Sequence, residues 1–233
     1  MRPNLGTGGM QPVHSNKVDS NKLDGVTETG TRAERKERTR QALIDGTLDL
    51  LRDRSLASVS LREVTRSAGI VPTAFYRHFA SMEDLGVALV EDSMRMLRQM
   101  LRDARKDPSV KNATESLRIL VRQVRSHEDQ FRFLARERYG GVAEVRKAFA
   151  TELRMFVSEL TIDLSRMPGL ETWDIADLEM AADLIVSTML TATVGLLEID
   201  RPGSENEREL LRKTEQQVRL IVLGMGAWRP KRN

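Results

Sequence analysis

Residues 60–86, SLREVTRSAGIVPTAFYRHFASMEDLG, decide the fold of this 233-residue chain. Ser60 can accept from the Glu63 backbone N–H while the Glu63 side chain reaches back, a capping box that opens a helix. Leu61, Val64 and Ala68 give that helix one short apolar stripe, and Gly69 ends it with the backbone angles a tight inter-helix turn asks for. Pro72 suits the first position of the next helix, where its missing N–H costs nothing. Phe75 and Phe79, at i and i+4, point inward with Ile70, leaving Pro72, Thr73, Tyr76, Arg77 and His78 outside. Hydroxyl, imidazole and guanidinium groups on the outer face of a short helix are what a DNA major groove and its flanking phosphates call for. The same pattern describes a surface helix of a bundle, so this helix alone leaves both readings open.

The neighbouring sequence supplies the support. From Arg32 to about Asp53, Ile44, Leu48 and Leu51 recur at i, i+4 and i+7, widened by Leu43 and Leu50, which predicts an amphipathic helix. With Leu61–Ala68 and Pro72–His78 it has the dimensions of a helix-turn-helix module. The first of these helices opens with TRAERKERTRQ, whose Arg32, Arg35, Lys36, Arg38 and Arg40 read as a solvated face unless neighbours make them a phosphate-binding feature.

Downstream, Ser81 and Asp84 open a helix to about Lys106 that is apolar on two sides, and Asp107-Pro108 breaks it. Further helices are expected at Ala113–Arg125, Asp129–Arg138 and Val142–Arg166. Asp174 then caps one to about Ile199, and Ser204 with Glu207 forms a second full capping box opening the last, to about Leu223. No alternating strand pattern occurs. The expectation is an all-α fold of about nine helices: a disordered tail over 1–31, a helix-turn-helix domain over 32–80 and a second helical domain over 81–233.

Composition narrows the function. With no Cys there is no disulfide, thiolate metal site or Cys nucleophile, which fits a cytoplasmic protein. The charge-free run Leu184–Leu197 is shorter than the ~20 residues a bilayer requires, so no membrane helix is expected. No secretory leader is read in the N-terminal stretch. Residues 1–80 hold 13 Lys and Arg against 9 Asp and Glu, so the basic excess is N-terminal. His127 heads HEDQF, where Phe131 replaces the second His of a zinc-protease helix, and GMGAWR at Gly224 lacks the third Gly of a dinucleotide loop. Neither a catalytic cluster nor a cofactor or metal site is expected, and the chain reads as no enzyme.

Two features suggest partners. The helices Asp174–Ile199 and Ser204–Leu223 carry more apolar surface than one intramolecular face needs, as either a central core helix or a four-helix interface between two copies would. Met94, Leu97, Leu101, Phe131, Phe133, Leu134, Phe149, Met155 and Phe156 gather Met and Phe in the middle helices, with Ile185 and Met189 on the long apolar one. They are either ordinary core or the lining of a site for a flexible apolar guest. Arg132, Arg136 and Arg138 lie beside them, either solvated or meeting an anionic head group.

The segment 60–86 resembles the DNA-binding segment of TetR-family transcriptional regulators, in which the glycine turn and the Tyr-Arg-His-Phe ending recur. Over about residues 32–227 the chain is most similar to the FabR/DesT-type repressors of unsaturated fatty acid synthesis. That likeness rests on the recognition helix, on Met96–Leu101 and on FRFLARERYGG at Phe131–Gly141. Most TetR members place a phosphate-holding lysine where this chain has Met82; an apolar residue there also resembles the FabR/DesT group.

The resemblance implies phosphate contacts from Tyr76 and His78, base-edge or phosphate contacts from Thr73 and Arg77, and backbone anchoring by Ser60 and Arg62. It implies a homodimer on a palindromic double-stranded operator and a repressor of lipid genes modulated by a long-chain fatty acid or acyl-CoA. The alternatives are a TetR-type regulator answering to another hydrophobic molecule, or a helical ligand-binding bundle that does not bind DNA.

Overall fold

The computed structural model describes residues 31–106 and 113–228, and every regular element among them is helical. The helices are α1 (Arg32–Leu50), α2 (Leu61–Ser67), α3 (Pro72–Phe75), α4 (Met82–Lys106), α5 (Ala113–Ser126), α6 (Glu128–Glu137), α7 (Ala143–Leu164), α8 (Ile175–Leu197) and α9 (Glu205–Ala227). A 3₁₀ turn, Leu56–Ser58, joins α1 to α2 and escapes the sequence reading, because a single turn has no period to detect. The expected tail 1–30, the break at Asp107-Pro108 and the Leu101 side chain lie outside the described residues. Thr31, read as the end of the tail, is the N-cap of α1, in a full capping box with Glu34.

Three corrections concern helix ends. The helix expected over Pro72–His78 is regular only to Phe75; beyond it the His78 N–H donates to the Phe75 carbonyl at 2.8 Å and the Arg77 N–H to that of Ala74 at 3.2 Å. These i→i+3 bonds tighten the last turn. Asp174 stands at the N-cap of α8 without a side-chain cap bond. Ser204 accepts from the Glu207 N–H, but the Glu207 carboxylate reaches one residue further back, to the Gly203 N–H. Glu207 is buried and its other oxygen accepts from Arg125 at 3.1 Å, which pulls the carboxylate past the N-cap.

One core joins the N-terminal helices to the rest. Leu43, Ile44, Leu48, Leu51, Val64, Phe75 and Phe79 pack in the same cluster as Leu85, Leu89 and Met94 of α4, Phe133 and Leu134 of α6 and Val145 and Phe149 of α7. Gly86 allows this closeness: a Cβ there would run into Leu56 and Val145. A second cluster gathers α5, α6 and the C-terminal half of α8 around Phe131 and Leu196, and a third gathers α7 and the N-terminal half of α8 around Val157 and Ala182. In order, α4 packs on α7, α7 on α8 and α8 on α9.

By length and composition α8 is long and apolar enough to cross a membrane, a test that the core helix of a globular protein also passes. A run interrupted at Asp183 understates the helix around it. Its apolarity is accounted for on one side by Leu178, Ala182, Val186, Leu196 and Leu197, buried in the second and third clusters.

Helix α6 holds the N-terminal helices by polar contacts as well. The Arg136 guanidinium donates to the carbonyls of Leu51 at 2.6 Å, Arg54 at 2.8 Å and Arg52 at 3.0 Å, the C-cap of α1 and the connection that follows it. Next to it, the buried Glu137 carboxylate accepts the Leu56 N–H at 2.8 Å, and Asp129 pairs with Arg52 at 3.1 Å. Arg136→Ala is expected to lower stability by about 2–3 kcal/mol in chemical denaturation, since charge-assisted bonds to three carbonyls are lost. Arg136→Lys is expected to recover less than half, an ammonium having no planar fork. An alanine variant as stable as the wild type would show the clamp to contribute nothing.

Candidate nucleic-acid interface and regulatory region

The α2–turn–α3 unit is held open on one side only. Gly69 makes the turn at φ 67, a left-handed conformation that costs a side chain energy. Phe75 and Phe79 are 0% and 3% exposed, their rings 5.8 Å apart, and they seal the inner face as expected. On the outside, Pro72, Thr73, Tyr76 and Arg77 are exposed, His78 is half-buried, and Val71 joins them at 64% exposure. The Tyr76 ring stands perpendicular to that of Phe75, at 5.6 Å and 87°, and the residue is 61% exposed.

His78 has its Nδ1 buried without a hydrogen-bond partner among the described residues. Burial, then the positive charges of Lys36, Arg40 and Arg77, hold its pKa below the ordinary 6.5. Arg40 lies over the Phe79 ring at 5.3 Å and bonds Asp92 of α4 at 3.3 Å. Sequence reading left Lys36 and Arg40 in an undifferentiated basic run. The signal was that 36 and 40 continue, by turns of the helix, the stripe that becomes buried at Leu43, Ile44 and Thr47.

Ser60 and Arg62 lie at the start of α2, both exposed. The Ser60 hydroxyl is engaged in the capping box, accepting from the Glu63 N–H at 3.4 Å and donating to the carboxylate at 2.7 Å. Arg54 bonds that carboxylate at 2.8 Å, and together with the Ser60 donors it holds Glu63 down at about pKa 2. Met82 is half-buried against the first cluster, where its apolar side chain fits.

The residues proposed from sequence for an apolar ligand are divided among the clusters. Met94, Phe133, Leu134 and Phe149 belong to the core shared with the N-terminal helices, Phe131 and Met189 to the second cluster, and Phe156 and Ile185 to the third. Leu97 touches the first and second and Leu153 the first and third, so these two stand at the seams. Met155 is exposed. The arginines have protein partners: Arg136 on the end of α1, Arg132 on Glu128 at 2.6 Å, and Arg138 over the Tyr139 ring at 5.0 Å. The buried ion pair of this region, unnoticed in the sequence, is Arg98 of α4 with Glu152 of α7; Glu159 lies 3.7 Å from the same guanidinium. Nothing in either helix's periodicity marks it, because each partner looks like an ordinary surface charge until the two helices are packed.

Helices α8 and α9 leave several large apolar side chains exposed. Leu184 is 49% exposed and Leu220 71%, with Val222 and Leu223 beside it on α9.

Comparison with known proteins agrees with this architecture at both ends of the chain. Residues 43–89 match the family of bacterial regulatory proteins of the tetR type, and residues 111–224 match the tetracyclin repressor-like C-terminal domain. Among solved structures, a TetR-family transcriptional regulator from Streptomyces coelicolor superposes with TM-score 0.60 at 18% identity, over 82% of this chain and 97% of its own. The regulator FadR from Bacillus subtilis, solved in complex with stearoyl-CoA, gives 0.60 at 16% identity, over 79% and 98%. The fatty acid degradation regulator FadR from Bacillus halodurans gives 0.61 at 15% identity, over 80% and 96%. At these identities the superpositions speak for the fold, while the two family matches fall on the helix-turn-helix and on the helices behind it. The chain belongs to the TetR family of transcriptional regulators.

Proposed function

We propose that the chain represses its target genes as a homodimer on palindromic DNA, with α3 in the major groove, and that a long-chain fatty acyl ligand changes its operator affinity. The observation that carries the DNA reading is the one-sided α3 segment: Phe75 and Phe79 sealed in, Thr73, Tyr76 and Arg77 open, and cations gathered around His78. Tyr76, His78, Ser60 and Arg62 hold phosphates, while Thr73 and Arg77 reach base edges or phosphates from the same surface.

Tyr76→Phe and His78→Ala are expected to weaken binding to the DNA flanking its own gene and to unrelated duplex alike, since phosphate contacts carry no sequence information. Unchanged affinity in both variants would remove α3 from the interface. The pH dependence follows from His78. Its pKa lies below 6.5 in the free protein, and a phosphate would favour the charged ring, so binding takes up a proton. Affinity is expected to rise as pH falls through the DNA-bound pKa, by at most tenfold per unit, and to level off below the free-protein value. His78→Gln should flatten that profile.

The dimer reading rests on the exposed Leu184, Leu220, Val222 and Leu223 of α8 and α9. A second copy on that face would place two α3 segments to read half-sites about 34–36 Å apart. Leu220→Arg leaves the monomer's core intact, since the side chain is 71% exposed. It should sediment as a folded monomer where the wild type is a dimer. A wild type that sediments as a monomer at micromolar concentration while still binding DNA contradicts the reading.

The acyl reading is supported by the resemblance at Phe131–Gly141, by the Met and Phe clusters, and by the stearoyl-CoA bound to the Bacillus subtilis relative. With Arg136 occupied beside α1 and Phe133 in the shared core, the guest would open the seams marked by Leu97 and Leu153, next to Met189 of the second cluster and Phe156 and Ile185 of the third. A chain of about sixteen carbons gains on the order of 10 kcal/mol gross from burial, enough for micromolar affinity after ordering costs. Saturated and unsaturated acyl-CoA of equal length should shift operator affinity by different amounts, and Leu97→Trp should abolish the difference while sparing ligand-free DNA binding. If calorimetry detects neither acyl-CoA nor free fatty acid, the effector is another small molecule.

A further inference from the structure

The basic run at the start of α1 divides into two faces. Lys36 and Arg40 lie one turn apart, and Arg40 fixes where that face points, since its guanidinium sits over the Phe79 ring at 5.3 Å just beyond α3. Lys36 is therefore carried past the end of the buried stripe Leu43–Thr47 and out over the 76–79 segment, close enough that its charge bears on His78. Its side chain is exposed and makes no hydrogen bond or ion pair among the described residues. Arg38 points the other way, about 200° around the helix, beside Glu34, Glu37 and Gln41.

We infer that Lys36 is a further phosphate-binding residue, extending the DNA contact of α3 onto α1 and gripping the backbone beside the groove that α3 enters. Three observations converge on this. Lys36, Arg40, Arg77 and the His78 ring concentrate positive charge at one edge of the α3 surface, opposed there by the Glu37 carboxylate alone among the charges that bear on His78. Arg40 is turned back onto Phe79 and Asp92 and is half-buried, which leaves Lys36 as the extended cation of the α1 face. The position where α4 begins is Met82, packed on the core and without charge, so the C-terminal flank of α3 supplies no cation of its own there.

The inference rests on the DNA-binding reading, and the experiment separates the two. Binding of the full-length protein to the duplex flanking its own gene, and to a random duplex of equal length, is measured by fluorescence anisotropy over a series of salt concentrations. The variants are Lys36→Gln, Lys36→Arg and Arg38→Gln; the last removes the same charge from the opposite face. Loss of one phosphate contact should lower the magnitude of the log–log salt slope by about 0.9 in Lys36→Gln. Affinity should fall roughly three- to tenfold on both duplexes at about 0.15 M salt. Lys36→Arg should restore slope and affinity, Arg38→Gln should keep the wild-type slope, and all melting temperatures should match the wild type. A Lys36→Gln slope equal to that of the wild type, or a loss no larger than that of Arg38→Gln, overturns the inference while the DNA reading stands. A wild type that binds neither duplex overturns that reading itself.

Discussion

The rest of the molecule depends on how the end of α1 is met by α6. The chain that leaves the end of α1 runs through residues whose carbonyls belong to no helix and need partners from elsewhere. Here the Arg136 guanidinium bonds the carbonyls of Leu51, Arg52 and Arg54, and the neighbouring Glu137 takes the Leu56 N–H. Two consecutive side chains of opposite charge thus satisfy carbonyls and an N–H of the short connection between α1 and the 3₁₀ turn. The site is dictated by the backbone it covers, which explains why Arg136 is not available to a ligand head group.

This junction also governs how much freedom the N-terminal helices have. Phe75 and Phe79 share a cluster with Leu89 and Met94 of α4 and Phe133 of α6, so α3 is seated on the regulatory helices rather than tethered to them by a linker. Gly86 brings α4 against Leu56 and Val145 without room for a side chain. A shift of α4 or α6 must therefore be felt at α3, because close-packed interiors transmit displacement instead of absorbing it.

Local signals were legible and long-range ones were not. The capping box at Ser60 and Glu63, the Gly69 turn and the Phe75/Phe79 inner face stand in the structure as the sequence states them, because each involves residues within a few positions of one another. At Ser204 the same pattern misled in part: Glu207 has its capping-box spacing, but Arg125, far away in sequence, draws the carboxylate inward. Arg136 was singled out but its backbone partners were not, and the Arg98–Glu152 pair escaped altogether, each being decided by a partner that periodicity cannot name. Phe131, Phe149 and Phe156 looked like one group by composition, yet helix geometry sends them to three different clusters.

The buried Arg125–Glu207 pair gives the α8–α9 hairpin a particular character. Arg125 also donates to the Ile199 carbonyl, and Glu207 also accepts from Gly203, so the connection between the two helices is fastened from within its own chain. The angle at which α8 and α9 present their exposed leucines is fixed before any other molecule arrives. An encounter with that face is then a docking of finished surfaces, whose rate is set by diffusion and orientation and not by a folding step.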